Sequence, residues 1–234
     1  MTPVYVINLE RRPDRRRRIA SRLAHAGLEP RWIDAIDART MPDSPSGMLT
    51  TPSHYACWLS HVRFLDATRD GDAQCAVVFE DDAVPSPRVR WTTLLEELPR
   101  AMADLRLGYL QLGHVSHFFR GRSLLRRTAQ SLGDVARSLR GRGDTASIRL
   151  GGMTCRVLPG KSRPGTHCYA VTRDFARHVR HLNQPGWVAA DGFYERLASA
   201  LRHHACHRMA TLLPSLVEQE SRLSRHDAID SDVG

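Results

Sequence analysis

The run CAVVFEDD, Cys75 to Asp82, constrains this chain more than any other stretch. Cys75 to Phe79 are apolar without interruption, the pattern of a short buried strand. Glu80, Asp81 and Asp82 follow at once. Like charges about 4 Å apart repel by roughly 1 kcal/mol in water and about 4 kcal/mol at an effective dielectric of 20. Such a stack at a strand end calls for a cation or a ring of donors. In an open α/β sheet, ligands bind at the carboxyl ends of the strands. Carboxylate pairs, completed by waters and substrate phosphates, are how proteins hold Mn²⁺ or Mg²⁺. The run reads as a metal–diphosphate site. The competing reading is a solvated turn in which Asp81 or Asp82 caps the next helix. Strand parity puts Glu80 and Asp82 on one face and Asp81 on the other. Asp82 is therefore the first expected ligand, with Glu80 favoured over Asp81 as the second contact.

The rest of the chain alternates strands and helices. Strands are expected at 4–9, 31–36, 75–79, 107–112, 167–172 and 208–213. Helices are expected at 12–26, 54–68, 89–105, 173–182 and 191–203, with Ser53 as the N-cap of the second. Residues 38–53, rich in Pro, Ser, Gly and Thr, read as a loop, and the tail from Glu218 as loosely held. This order predicts an α/β fold with a largely parallel sheet flanked by helices. At 234 residues it fits one large domain. Neither G-x-x-x-x-G-K nor G-x-G-x-x-G occurs, so a nucleotide needs another cradle. Asn8 at the end of the first strand, with Arg11, Arg12 and Arg15 opening the next helix, offers one.

Charge narrows the partners. Lys and Arg number 34 against 25 acids, a net charge of +9, and Lys161 is the sole lysine. Arginine forks suit phosphate. Residues 120–142 carry seven Arg and one acid, interleaved with leucines, which predicts a basic amphipathic helix or flap against an anionic membrane or acceptor phosphates. No nucleic-acid motif accompanies the charge and aromatics are few, so nucleic acid is not an expected partner. No run of 18 apolar residues and no signal-type N-terminus appear. Five cysteines without a C-x-x-C pair suggest a reducing compartment. His203, His204, Cys206 and His207 fit no zinc spacing and read as a histidine-rich helix end.

Four segments together resemble glycosyltransferase family 25, the lipopolysaccharide and lipooligosaccharide glycosyltransferases. They are VYVINLERRPDRR (Val4 to Arg16), CWLSHVRFLDATRDGDAQCAVVFEDDA (Cys57 to Ala83), GTHCYAVTRDFARHV with AADGFYERL (Gly165 to Val179, Ala189 to Leu197), and LLPSLVEQESRLS (Leu212 to Ser224). Residues 114–163 match no motif of the family and stand as a variable, basic insert. The resemblance implies a GT-A-like fold, a UDP-sugar donor, often UDP-galactose, and a divalent cation. It further implies inversion at the anomeric carbon and action on a surface glycan at the cytoplasmic face of the inner membrane. Collagen galactosyltransferases share the motif set, so a protein acceptor stays open beside a lipid-linked one.

Several residues have two readings at this stage. Asn8, Arg12 and Arg15 are donor contacts or a solvated basic face. Ser60 and His61, on the helix before the acidic strand, contact the donor or pack the helix, and His61 can orient a carboxylate. Thr166 and Tyr169, after the Gly165 turn, reach the donor or fill the sheet. An inverting transfer needs one carboxylate near the acceptor hydroxyl. Asp191 matches the family's downstream Asp, which makes it the expected base, against a helix N-cap.

Overall fold

In the computed structural model of the chain, the residues described are 1–41, 50–114, 146–183, 188–205 and 207–220. The basic segment 120–142 lies outside them.

Ten strands form one sheet: β1 (Val4–Asn8), β2 (Pro30–Asp34), β3 (Cys75–Glu80), β4 (Ala83–Pro85), β5 (Leu107–Gly113), β6 (Ser147–Leu150), β7 (Met153–Pro159), β8 (Cys168–Thr172), β9 (Arg208–Leu213) and β10 (Val217–Gln219). The order is β2-β1-β3-β8-β5-β9-β7-β6, with β10 bridging β4 and β5. Strands β2, β1 and β3 run parallel, as do β5 and β9. β8 inserts antiparallel between β3 and β5. The expected α/β architecture is present, and its sheet is mixed. Among the described residues, five α-helices flank it: α1 (Pro13–His25), α2 (Pro52–Asp70), α3 (Trp91–Asp104), α4 (Arg173–Val179) and α5 (Ala190–Ala200).

The central strands are apolar throughout because both faces are covered. Val4, Val6, Val77 and Phe79 meet Ile19 and Leu23 of α1 and Trp91, Leu94 and Leu98 of α3. Tyr5, Ile7, Ala76 and Val78 face Trp58, Phe64 and Leu65 of α2 and, beyond them, Phe175 of α4 and Tyr194 of α5. Each alternate residue of β1 and β3 thus belongs to a different core.

Local chemistry sets the ends of these elements. Thr51, not Ser53, caps α2, its Oγ1 accepting from the backbone N–H of His54 at 3.2 Å. Pro52 then occupies the first helical position, where its missing N–H costs nothing. Part of the basic insert is integral to the sheet: β6 and β7 form a hairpin, and β7 pairs with β9. Gly151 (φ 55°) and Gly152 (φ 83°) make its two-residue turn, a type needing positive φ twice. The tail also departs from expectation. Val217–Gln219 is a strand, antiparallel to β4. It was invisible as a strand because only three residues carry it.

Gly108 in β5 lets α4 approach the sheet. A Cβ there would stand 2.5 Å from Phe175 Cδ2 and 3.0 Å from its Cβ. Overpacking of this kind costs about 1–3 kcal/mol. Gly108→Ala is therefore expected to lower unfolding stability by that amount in urea titration, with an unchanged m-value. A neutral substitution would show that α4 is not pressed onto the sheet.

Candidate active site

β3 delivers its acids to a cleft of about 360 Å³. One wall is Arg11, Arg15 and Arg18 at the start of α1; another is 35–39, after β2. Cys57, Ser60 and His61 of α2 line a third side, and Gln219 and Glu220 a fourth. The cleft lies at the carboxyl ends of β1 and β3, which parallel pairing places side by side, Ile7 opposite Glu80.

The three carboxylates meet three different environments. Glu80 Oε1 lies 3.2 Å from His61 Nε2 and accepts from Thr166 Oγ1 at 2.5 Å. Burial opposes its charge, yet the bonds from His61 and Thr166 outweigh it and hold its pKa below the usual value. Asp81 leaves the cleft floor: Asn8 Nδ2 donates to one oxygen at 2.8 Å and Arg15 reaches the other at 3.3 Å. Burial still moves its pKa upward, against Arg15 and Asn8. Among the described residues Asp82 has one side-chain donor, Gln219 Nε2 at 2.8 Å on Oδ2, while its Oδ1 is buried without a partner there. Burial first, then the charge of Glu80, raises the Asp82 pKa from 3.8 to about 7.

His61 is fixed from behind. Its Nδ1 lies 2.9 Å from Tyr169 Oη, which lies 3.2 Å from Tyr194 Oη. Both tyrosines are fully buried, and burial holds both hydroxyls protonated. If Tyr194 donates to Tyr169 and Tyr169 to Nδ1, His61 carries its proton on Nε2, aimed at Glu80. Tyr169 is thus buried behind His61, outside the cleft lining, and supports its ring. Thr166 likewise acts on Glu80 and is not part of the cleft lining.

Other expected residues separate in the same way. Arg15, Ser60, His61, Glu80, Asp81 and Asp82 line the cleft; Asn8, Arg12, Thr166, Tyr169 and Asp191 do not. Asn8 holds Asp81. Arg12 folds onto Asp14, with contacts of 3.1 and 3.0 Å. Ser60 bridges the Ala56 carbonyl and the Ile36 N–H, both at 2.8 Å, so it ties α2 to the wall after β2. Asp191 sits in the first turn of α5, where the N-cap is Ala189, and accepts from the Gly192 N–H at 2.7 Å. Its charge, with those of Glu80 and Asp82, helps burial raise the pKa of the Cys57 thiol. Asp191 thus acts on the same thiol as the two cleft acids.

Sequence reading included Arg11 in the anion cradle but missed Arg39, Asp37, Cys57, Gln219 and Glu220. Arg11 and Arg39 converge on Asp37 at 2.8 and 2.6 Å. Glu220 draws Arg22 and Arg18 to 3.0 and 3.4 Å, and its N–H donates to the Asp82 carbonyl at 2.8 Å. A closing V-x-Q segment was visible, but its contact with β3 crosses more than half the chain. Chemically, the cleft offers an arginine fan to anionic oxygens beside acids able to take a cation.

Residues 1–118, half of the chain, match the model described as Glycosyltransferase family 25 (LPS biosynthesis protein). Three mammalian proteins are similar over 95 residues. They are "Probable inactive glycosyltransferase 25 family member 3" of Rattus norvegicus, 34% identical, the Bos taurus protein of the same name, 33% identical, and "Inactive glycosyltransferase 25 family member 3" of Mus musculus, 33% identical. The matched stretch covers 34% of this chain but 17% of the rat protein and 16% of the other two. The chain therefore corresponds to a minor part of those relatives.

The raised pKa of Asp82 has a definite sign. Between its ordinary 3.8 and its folded value near 7, the native state binds more protons than the unfolded one. Stability from this group is therefore present below pH 4 and falls as pH rises to 7. Asp82→Asn keeps an acceptor for Gln219 and removes the titration. In chelator, the melting temperature of Asp82→Asn minus that of wild type should grow from pH 4 to 7 and level off above. A difference independent of pH, measured by calorimetry, would show that Asp82 is not desolvated.

Proposed function

This chain belongs to glycosyltransferase family 25, and on that premise we propose that it transfers a hexose, galactose, from a UDP-sugar to a lipooligosaccharide-type surface glycan with inversion. The supporting observation is the buried Asp82 Oδ1, unpartnered in a cleft that also presents Arg11, Arg15 and Arg18. An oxygen in that state fits a hard cation. Asp82 Oδ1 and Glu80 Oε2 are the oxygens to hold Mn²⁺ or Mg²⁺, since both contacts to Glu80 use Oε1. Asp81 is unsuited, because Asn8 and Arg15 occupy its two oxygens. A cation bound there would neutralise the charge that develops on the UDP leaving group.

The remaining work falls to side chains. The arginines bind the diphosphate, and their donors need little reorganisation because α1 and the acids already orient them. His61 holds Glu80 in place. Asp191 is the base that takes the acceptor proton. The basic 120–142 segment, outside the described residues, is assigned to the anionic face of the inner membrane or to acceptor phosphates, with the enzyme cytoplasmic. No described helix is long and apolar enough to cross a membrane.

The printed names of the three relatives favour a second reading, in which the chain binds nucleotide without transferring sugar. Hydrolysis of a panel of UDP-sugars with Mn²⁺ separates the two. UDP binding without turnover of any sugar would select the non-catalytic reading.

Two outcomes are expected from variants. UDP affinity in calorimetry should rise with Mn²⁺ over chelator, and Asp82→Asn should abolish the gain; equal affinities would remove the metal from the reading. Asp191→Asn should leave UDP-sugar affinity and melting temperature near wild type while reducing transfer at least roughly a hundredfold. Retention of more than about a tenth of the turnover would place the base elsewhere.

A further inference from the structure

A second set of ligating side chains gathers at the other end of the sheet. Helix α4 starts where β8 ends, and the Arg173 N–H donates to the carbonyl of Gln74, just before β3 begins. Glu80 closes the same strand six residues on, on the order of 20 Å away. Asp174 and His178 are one helical turn apart on α4, and His207 lies just before β9. Asp174, His178 and His207 each bring one coordinating atom within 4.8 Å of the others.

We propose that Asp174, His178 and His207 bind a transition-metal dication, zinc in class, at a site separate from the acidic cleft. His207 Nε2 is 3.5 Å from Asp174 Oδ2, and His178 Nδ1 is 3.7 Å from Asp174 Oδ1. Donors bonded to tetrahedral zinc at about 2.0–2.1 Å stand about 3.3 Å apart, so small rotations complete the geometry. The His178 and His207 rings are 4.9 Å apart. His178 Nδ1 also donates to the Asp174 main-chain oxygen at 2.8 Å, a bond that an ion would displace on taking Nδ1 as ligand. Asp174 and His178 are exposed, while the His207 side chain is 13% exposed and set against Phe175. One rigid and two adjustable ligands make a site that an ion can organise. Imidazole nitrogens with one carboxylate select zinc-like ions over the Mg²⁺ and Mn²⁺ suited to the oxygen-rich cleft. The nearby competitor is Arg177, 3.8 Å from Asp174 Oδ1, an exposed pair of little energetic weight. His204, stacked on His207 at 4.8 Å, extends the histidine face. Bound metal would clip α4 to the segment entering β9, joining elements far apart in sequence.

The test uses the full chain without a polyhistidine tag. Co²⁺ and Zn²⁺ binding are followed by absorption and calorimetry, in an Asp82→Asn parent and in that parent carrying His178→Ala, His207→Gln or Cys57→Ser. With the cleft cation site removed by Asp82→Asn in every protein, the expected result is one ion per chain, no thiolate charge-transfer band, a melting-temperature rise with Zn²⁺, and at least a tenfold loss of affinity in each histidine variant. Cys57→Ser should bind as the parent does, which separates this site from the Cys57, His61 and Glu80 cluster in the cleft. His178 is exposed, so its variant folds and the result is readable. Unchanged affinity in both histidine variants, loss of binding in Cys57→Ser, or no binding in the parent would each overturn the proposal.

Discussion

Burial compels the acids at the end of β3 to be neutralised one at a time. Three adjacent carboxylates cannot all keep bulk-like charge in a half-closed cleft. Asp81 is settled by Asn8 and Arg15, Glu80 by His61 and Thr166, and Asp82 by a single amide from Gln219. Those partners come from β1, α1, α2, the approach to β8, and β10. The cleft is where five parts of the chain converge to satisfy one short run of charge.

The same constraint explains much of the packing around it. His61 can serve Glu80 only if its ring is held, and the hydroxyls of Tyr169 and Tyr194 hold it. Those tyrosines stack with Tyr109, at 5.0 and 4.9 Å between ring centres. A polar chain thus descends from the cleft into an aromatic core. Each hydroxyl along it is costly to bury unless its neighbour accepts, so the core beneath the site is built to one arrangement. Trp58, edge-on to Phe193 at 4.7 Å, fixes α5 against α2 from the same layer.

Much of the fold was legible because its signals are local. β1, β3, β5, β8 and β9 announce themselves as short apolar runs, and the described helices by their spacing. The acidic run located the cleft. Parity could choose Asp82 with Glu80 but could not show why, since the turn after Glu80 ends the strand's alternation. Gln219 was illegible because β10 has three residues and its partner is 137 positions away. Tyr169 looked half-buried because nothing in its own strand reports α5 lying over it. Arg12 looked equivalent to Arg15, but it folds onto Asp14 beside it. His207 looked like one of a run, whereas its neighbours in space, Asp174 and His178, belong to another helix.

The strand order carries a consequence for synthesis. β3 and β5 are neighbours of β8, not of each other. When residue 113 has been made, the sheet has a gap at its centre that only residues 168–172 can fill. The last donor to Asp82 emerges later still, at residue 219. On the ribosome, therefore, the N-terminal strands must wait with open edges for nearly half the chain, an interval in which such edges invite mispairing. The cleft is complete only when translation has passed Glu220.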